Sequence, residues 1–204
     1  MGRRNRNRNR ERHVEARDIR HSRIDTALAH VSEDELYAQL ESHRDPKALI
    51  LILDEITDPH NLGACLRSAN AAGTVALVTP KHHSVRVTET VQRIACGAAA
   101  TTPVVAVANL ARAMRKLQDL GFCLVGTDDS GKEMIYDINL TGPVAIVVGA
   151  EGKGLRRLTR DTCDHLARIP MLGSVECLNV SVATGVCLFE VVRQRRKTAK
   201  KTSG

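Results

Sequence analysis

Tryptophan is absent from this 204-residue chain, and Phe and Tyr together contribute only four residues. That scarcity argues against recognition modules that stack bases on exposed rings, such as RRM and OB folds. No CxxC pair occurs among the six cysteines (Cys65, Cys96, Cys123, Cys163, Cys177 and Cys187), so the ligand spacing of a structural zinc site is missing. The cysteines stand mostly in apolar stretches, as buried free thiols do, and a reduced, cytoplasmic protein is expected. No apolar run approaches the roughly 20 residues of a membrane helix. The Arg/Asn-rich start has no apolar segment behind it, which excludes a signal peptide reading. There is no GxSxG elbow, so Ser181 is a poor hydrolase nucleophile. His82 and His83 are adjacent and point apart in extended chain, with no carboxylate cluster nearby in sequence; they read as a surface loop, and no metal is expected.

Hydrophobic residues make up 43% of the chain, enough for the core of one ordinary domain. The net charge of +7 is unevenly placed. Residues 1–23 hold nine Arg and three acids, residues 193–204 hold six Lys/Arg and no acid, and the span between is net acidic. Basic ends on an acidic body fit either a solvated tail that aids solubility, the commoner case for an isolated charge run, or an arm that contacts a polyanion through salt-sensitive phosphate contacts. The organisation read from this is a disordered basic arm (1–31), one folded domain (32–196) and a basic tail (197–204).

From Ala48 onward strand-like and helix-like segments alternate. Strands are expected over Ala48–Leu53, Val75–Val78, Val104–Val107, Phe122–Thr127, Val144–Val148 and His165–Ile169. Helices are expected over His60–Ala72, Thr88–Ile94, Leu110–Leu120, Leu155–Thr162 and Asn179–Arg195, with Gly73 and Gly121 at stops and Asn109 at a start. Ser32 with Glu35 has the form of a capping box, so a short helix runs to about His43. The alternation predicts an α/β fold, a mostly parallel sheet with helices on both faces.

The segment Ile169–Gly185 carries the densest local signal. Pro170 closes a strand, Gly173 permits a tight loop, and Asn179 opens a helix whose first turn includes Ser181. Leu178, Val182 and Val186 recur at helical spacing and are expected to face a core. A polar pair at a helix start beside a Pro/Gly-shaped loop fits a ligand site or an ordinary cap about equally. Gly126–Glu133 matches a phosphate-binding P-loop until its last position, where Glu133 replaces the magnesium-binding hydroxyl and Asp128 and Asp129 would repel a triphosphate. It reads instead as a strand-to-loop turn at the edge of a pocket. Gly149 to Gly154 lacks the GxGxxG order of a dinucleotide fingerprint.

Two further segments accompany Ile169–Gly185. Asp58-Pro59-His60-Asn61-Leu62-Gly63-Ala64-Cys65-Leu66-Arg67-Ser68-Ala69 follows the first apolar run, and Val147-Val148-Gly149-Ala150-Glu151-Gly152-Lys153-Gly154-Leu155 follows another. Together, in order and spacing from about Ala48 to Arg195, the three resemble the motifs of SpoU-type RNA 2'-O-ribose methyltransferases of the SPOUT superfamily. The likeness is greatest to the bacterial enzymes that methylate a guanosine ribose in large-subunit ribosomal RNA. Local pattern alone predicts an unknotted sheet. The resemblance implies instead the SPOUT α/β-knot with a deep C-terminal trefoil knot, and a homodimer in which each active site is completed across the interface. It implies S-adenosylmethionine as cofactor and RNA as partner, ribosomal RNA ahead of transfer RNA. A non-catalytic RNA-binding or ribosome-assembly factor is the remaining alternative, and the retained polar residues argue against it.

The resemblance also assigns residues. Asn61, Arg67, Glu151, Asn179 and Ser181 fall in the catalytic centre, with Asn179 and Ser181 facing the cofactor tail or the target ribose. Gly149, Ile169 and Leu178 line the cofactor cradle, with Thr127 and Met171 as neighbours. Arg67 stays protonated, so it is better suited to clamping a phosphate and stabilising charge than to acting as a base. Glu151 is expected to position Arg67 or the nucleoside. Cys177 replaces the Ser usual in relatives, a change that activity is expected to survive. The residues before Ala48 are too few and too polar for the N-terminal RNA-recognition domain of those relatives, so a natural minimal form or a truncation is expected.

Overall fold

In a computed structural model, residues 31–202 are described. The basic arm expected at 1–31 lies, apart from Val31, outside the described residues. Ser32 starts the first helix, α1 (Glu33–His43), as a complete capping box: Glu35 N–H donates to Ser32 Oγ at 3.2 Å, and Ser32 N–H donates back to the Glu35 carboxylate at 2.7 Å. These bonds to its charged form hold the Glu35 carboxyl below its usual value.

Seven strands follow: β1 (Leu49–Asp54), β2 (Ala76–Pro80), β3 (Val104–Val107), β4 (Cys123–Thr127), β5 (Glu133–Met134), β6 (Val144–Gly149) and β7 (His165–Arg168). They form one sheet in the order β3-β2-β1-β6-β4-β7-β5, and every pair is parallel. Expected strand limits agree with those observed to within one or two residues. The two-residue β5 has no counterpart in the sequence reading.

The central strands β1 and β6 are buried along their whole length, so both faces must be apolar, as their continuous Leu/Ile/Val runs dictate. Alternation splits β1 between two cores. Leu49, Leu51 and Leu53 pack with Leu62, Cys65, Leu66, Ala69, Cys187, Leu188 and Val191 on one face. Ile50 and Ile52 pack with Leu36, Leu110, Met114 and Leu117 on the other. Each such side chain contributes about 1.5–3 kcal/mol relative to exposure. The helices accordingly lie on both faces. On the first are α2 (Pro59–Ala72), α3 (Glu89–Ala95) and α6 (Val180–Thr202); on the second are α1, α4 (Leu110–Asp119) and the short α5 (Arg157–Thr162).

Local chemistry sets the helix ends. Asp58 accepts from the N–H groups of His60 and Asn61 at 3.0 and 3.3 Å, and Pro59 occupies the first turn, where a missing N–H costs nothing. Gly73 stops α2 with φ 78°. Asn109 caps α4 by accepting from Arg112 N–H. Gly63 lets α2 and α3 touch, since a Cβ there would lie 2.7 Å from Ile94 Cβ. The basic residues after 196 continue helix α6 to Thr202.

Two expectations about α6 and its loop need correction. Leu178, Val182 and Val186 do not face a core: Leu178 and Val186 are half-buried, and Val182 is 52% exposed. The buried stripe is Val180, Thr184, Cys187, Leu188 and Val191, about half a turn around. Apolar spacing defines a shared face but not which face is covered, and here two stripes compete. Gly173 has no positive φ and nothing within 4 Å of its Cβ position, so the loop does not depend on it for a tight turn. The cysteines also divide more evenly than expected, with Cys65 and Cys187 buried, Cys123 and Cys163 intermediate, and Cys96 and Cys177 exposed. No disulfide links them. Burial pushes the Cys65 thiol up to about 11 and that of Cys187 to about 12.

Candidate active site

In a parallel sheet the carboxyl ends of all strands meet at one pole, and loops leaving neighbouring strands converge there. Thr127 ends β4, Gly149 ends β6, and Ile169 follows β7; these three strands are adjacent. Their loops enclose a cavity of about 480 Å³, within the range of ligand pockets. Thr127, Gly149, Ile169, Met171 and Leu178 all border it, so every residue assigned to the cofactor cradle by resemblance, except Asn179, lines one space. Cys177 and Glu151 border it as well. The walls mix apolar groups (Ile169, Leu178, Val180) with charges of both signs (Asp128, Asp129, Glu176, Lys153, Arg168).

The loop after β6 folds tightly on itself. Gly154 N–H donates to Ala150 carbonyl at 2.8 Å, while Gly152 and Gly154 take φ values of 76° and 65°. Gly149 lies beneath the fold-back; a Cβ on it would sit 2.1 Å from the Gly154 carbonyl carbon, so no side chain fits. Glu151 is thereby lifted to the exposed outer edge of the loop.

Glu151 is also the first member of a hydrogen-bonded chain. Asn61 Nδ2 donates to Glu151 Oε2 at 3.4 Å, and Asn179 Nδ2 donates to Asn61 Oδ1 at 3.0 Å. Asn179 Oδ1 in turn accepts from Ser181 Oγ at 2.6 Å and Ser181 N–H at 3.0 Å. A carboxylate only accepts, so the chain has one direction: Ser181 to Asn179 to Asn61 to Glu151. Because the Ser181 hydroxyl spends its proton on Asn179, its lone pairs remain available to accept from a ligand. Asn179 meanwhile caps α6 through that Ser181 N–H, joining the cap and ligand roles that the sequence left evenly weighted.

Four of the five residues assigned to the centre therefore meet through sequence separations of up to 118 positions. Arg67 stands apart. It lies on the outward ridge of α2 with His60 and Ala71, is exposed, and forms no hydrogen bond or ion pair with the described residues. Glu151 contacts Asn61 and not Arg67.

The sequence reading missed a buried carboxylate directly behind the site. Asp54, 1% exposed, closes β1 and pairs in register with Gly149. It accepts from Arg156 N–H at 3.0 Å and Arg156 Nε at 2.7 Å, while Arg156 Nη1 reaches Glu55 at 3.1 Å. The available signal was a lone acid at the end of the run Leu-Ile-Leu-Ile-Leu-Asp. On the far side of the cavity, Arg160 holds Asp128 and Ser130, which explains the P-loop-like turn as a structural one. Among the described residues, no group of three or more His, Cys, Asp or Glu could hold a metal ion.

Comparisons with known proteins identify the family. Residues 48–189 match the SpoU rRNA Methylase family. The 23S rRNA (guanosine-2'-O-)-methyltransferase RlmB of Photobacterium profundum is 58% identical over 166 residues, covering 81% of this chain and 67% of that protein. The enzyme of the same name from Pseudomonas putida is 53% identical over 174 residues, covering 83% and 70%. The chain spans about two thirds of the length of the curated relatives it matches. Among solved structures, the SpoU methyltransferase AviRb of Streptomyces viridochromogenes, in complex with the cofactor AdoMet, aligns with a TM-score of 0.71 at 31% identity, covering 75% of this chain and 62% of that one. The TrmH/SpoU tRNA modifying enzyme of A. aeolicus aligns with a TM-score of 0.69 at 26% identity, covering 82% and 86%. Three motifs in order, one cavity that collects the cradle residues and a family match over most of the described residues lead to one conclusion: the chain belongs to the SpoU rRNA methylase family.

Proposed function

We propose that this protein transfers a methyl group from S-adenosylmethionine to a ribose 2'-hydroxyl of RNA, with a guanosine of large-subunit ribosomal RNA as target. The observation that carries the reading is the double position of Glu151, which borders the cavity and ends the Ser181–Asn179–Asn61 chain. A cofactor bound in the cavity would have its reactive end beside the only hydrogen-bonded array at that edge among the described residues.

The cavity suits S-adenosylmethionine on chemical grounds. Apolar Ile169 and Leu178 offer a bed for adenine, Lys153 and Arg168 offer charge for a carboxylate, and the acids on the wall suit a sulfonium cation. When bound, the cofactor would supply an electrophilic methyl group. The protein's own contribution is orientation and charge. Ser181 Oγ and the free oxygen of Glu151 accept hydrogen bonds from hydroxyls of the target, and Asn61 and Asn179 are locked between them, so no side chain need reorganise during transfer. Arg67 would clamp a phosphate next to the reacting ribose through its guanidinium fork.

Two further elements belong to the same proposal. Val182, Gly185, Val186 and Phe189 form an outward stripe on α6, with Val182 52% and Phe189 49% exposed, beside the ridge that carries Arg67. A second copy docked there would cover an apolar stripe otherwise left in water and bring its Arg67 near the first copy's site. A C-terminal trefoil knot is the connectivity that family membership implies, and the packing of α6 on α2 and β6 is compatible with it. No helix among the described residues is long and apolar enough to cross a membrane, and an enzyme serving ribosomal RNA would work in the cytoplasm. The 82% and 86% coverage shared with the transfer RNA modifying enzyme supports a second substrate reading; the 58% identity to ribosomal RNA enzymes supports the first.

The test is incubation of the purified chain with labelled S-adenosylmethionine and separate pools of ribosomal and transfer RNA. Label in ribosomal RNA is the expected result. Label confined to transfer RNA would select the second substrate, and label in neither would overturn the enzyme reading.

A further inference from the structure

The buried Asp54 and its arginine partner occupy a special place in the path of the chain. Both arms of the polar array start from Asp54. Along the backbone, Glu55 to Asp58 lead from it to the cap of α2 and thus to Asn61. Across the sheet, Asp54 stands opposite Gly149, from which the loop carrying Glu151 departs. The Asn61–Glu151 hydrogen bond closes these two arms into a ring whose hinge is the Asp54–Gly149 pairing.

Arg156 braces that hinge. Its backbone N–H and guanidinium fasten the far end of the 150–155 loop to Asp54, so the loop leaves the sheet at Gly149 and returns to the same strand end. Its remaining nitrogen, Nη1, holds Glu55 at 3.1 Å. Glu55 has φ 61°, a left-handed conformation that non-glycine residues rarely adopt, and it sits where the chain turns from β1 toward Asn61. One guanidinium therefore restrains the starting points of both arms, 102 positions away from Asp54 in sequence. A buried carboxylate matched by an arginine fork is directional, which a packed apolar pair could not be. The Arg156 side chain borders a neighbouring hollow with His82 and Leu158, not the cavity that contains Thr127 and Leu178.

We propose that Asp54 and Arg156 are positioning residues: a clamp that sets Glu151 against Asn61 and so fixes the alignment of the methyl-transfer site without touching substrate or cofactor. This rests on the reading of Glu151 given above. The test is a double-mutant cycle of Arg156→Gln and Glu151→Gln, with methyl transfer to ribosomal RNA and S-adenosylhomocysteine affinity measured on each protein. Arg156→Gln alone is expected to lower kcat about 30-fold, with cofactor affinity changed less than threefold, and Arg156→Lys to recover part of the rate. In the Glu151→Gln background the same substitution should cost less than threefold, since the group it positions is already gone. Equal losses in both backgrounds would show that Arg156 acts through general stability and would overturn the proposal. Hydrogen exchange provides a reading independent of activity. The Gly154 and Arg156 amides should exchange at least tenfold faster in Arg156→Gln while those of β4 and α6 do not change, and unchanged loop exchange would overturn the clamp. Full activity of Glu151→Gln alone would instead refute the role of Glu151, leaving the exchange experiment to decide the clamp.

Discussion

Helix α6 touches both poles of the sheet, and it does opposite things at each. At the carboxyl pole, Asn179 and Ser181 are half-buried or exposed and bonded in a short polar chain with oxygens free to accept. At the amino pole, Arg195 donates to four backbone carbonyls: Lys47 and Gly142 at 2.7 and 2.8 Å, and Leu140 and Ala48 at 3.3 Å. Gln194 adds bonds to Ile138 carbonyl and Leu140 N–H. Among the described residues no carboxylate forms an ion pair with Arg195, and burial, opposed by the charge of Asp45, lowers its guanidinium to about 10. At the amino pole Arg195 and Gln194 direct these hydrogen bonds to the fold, whereas at the carboxyl pole the Ser181 and Glu151 oxygens keep acceptor capacity that no described residue uses. One helix thus ties the molecule shut at one end and presents chemistry at the other.

Substitutions at the two poles should separate these roles. The largest effect is expected for Arg67→Ala, whose exposed side chain supports no described contact. Methyl transfer should fall about 10³-fold with melting temperature and S-adenosylhomocysteine affinity nearly unchanged. Steady-state rates with thermal unfolding check this, and an active variant would remove Arg67 from the mechanism.

Next in size is Arg195→Met. It leaves several buried carbonyls short of a donor, so stability should drop by about 3 kcal/mol, lowering the melting temperature by roughly 6–12 °C. Urea unfolding measures the loss. At a temperature where the variant is folded its kcat should stay within about threefold of the parent, and a selective loss of rate would blur the division between poles.

The smallest effect concerns thiols. Cys177 and Cys96 are exposed, whereas Cys65 and Cys187 are buried with raised pKa values. Iodoacetamide near neutral pH should label the first two and spare the others, because only a thiolate reacts. S-adenosylhomocysteine should slow labelling of Cys177, which borders the cavity, and leave Cys96 unaffected. Peptide mass spectrometry distinguishes the sites.

What could be read in advance follows the range of the forces involved. Caps at Ser32 and Asn109, the Gly73 stop and six of the seven strands depend on local chemistry and periodicity, and they stood where the sequence placed them. The insertion of β6 between β1 and β4 depends on pairing over nearly a hundred residues, which no local pattern encodes. The same holds for the clamp between Asp54 and Arg156. The exposed stripe of α6 was misassigned because Val182 and Val186 carry core-type side chains on a face that this chain alone leaves uncovered. The site residues were legible only through three separate motifs; the structure adds that Asn61, Asn179, Ser181 and Glu151 form one connected chain.

Whether the carboxyl-pole chain directs methyl transfer to a ribose hydroxyl can be read from alkaline digestion of ribosomal RNA methylated with labelled S-adenosylmethionine. A methylated 2'-oxygen cannot attack the neighbouring phosphate, so its linkage survives alkali. The parent protein should leave label in alkali-resistant dinucleotides, and Asn179→Ala should lose about 10²-fold or more of it at unchanged cofactor affinity. Label released entirely as mononucleotides, or an Asn179→Ala variant as active as its parent, would contradict it.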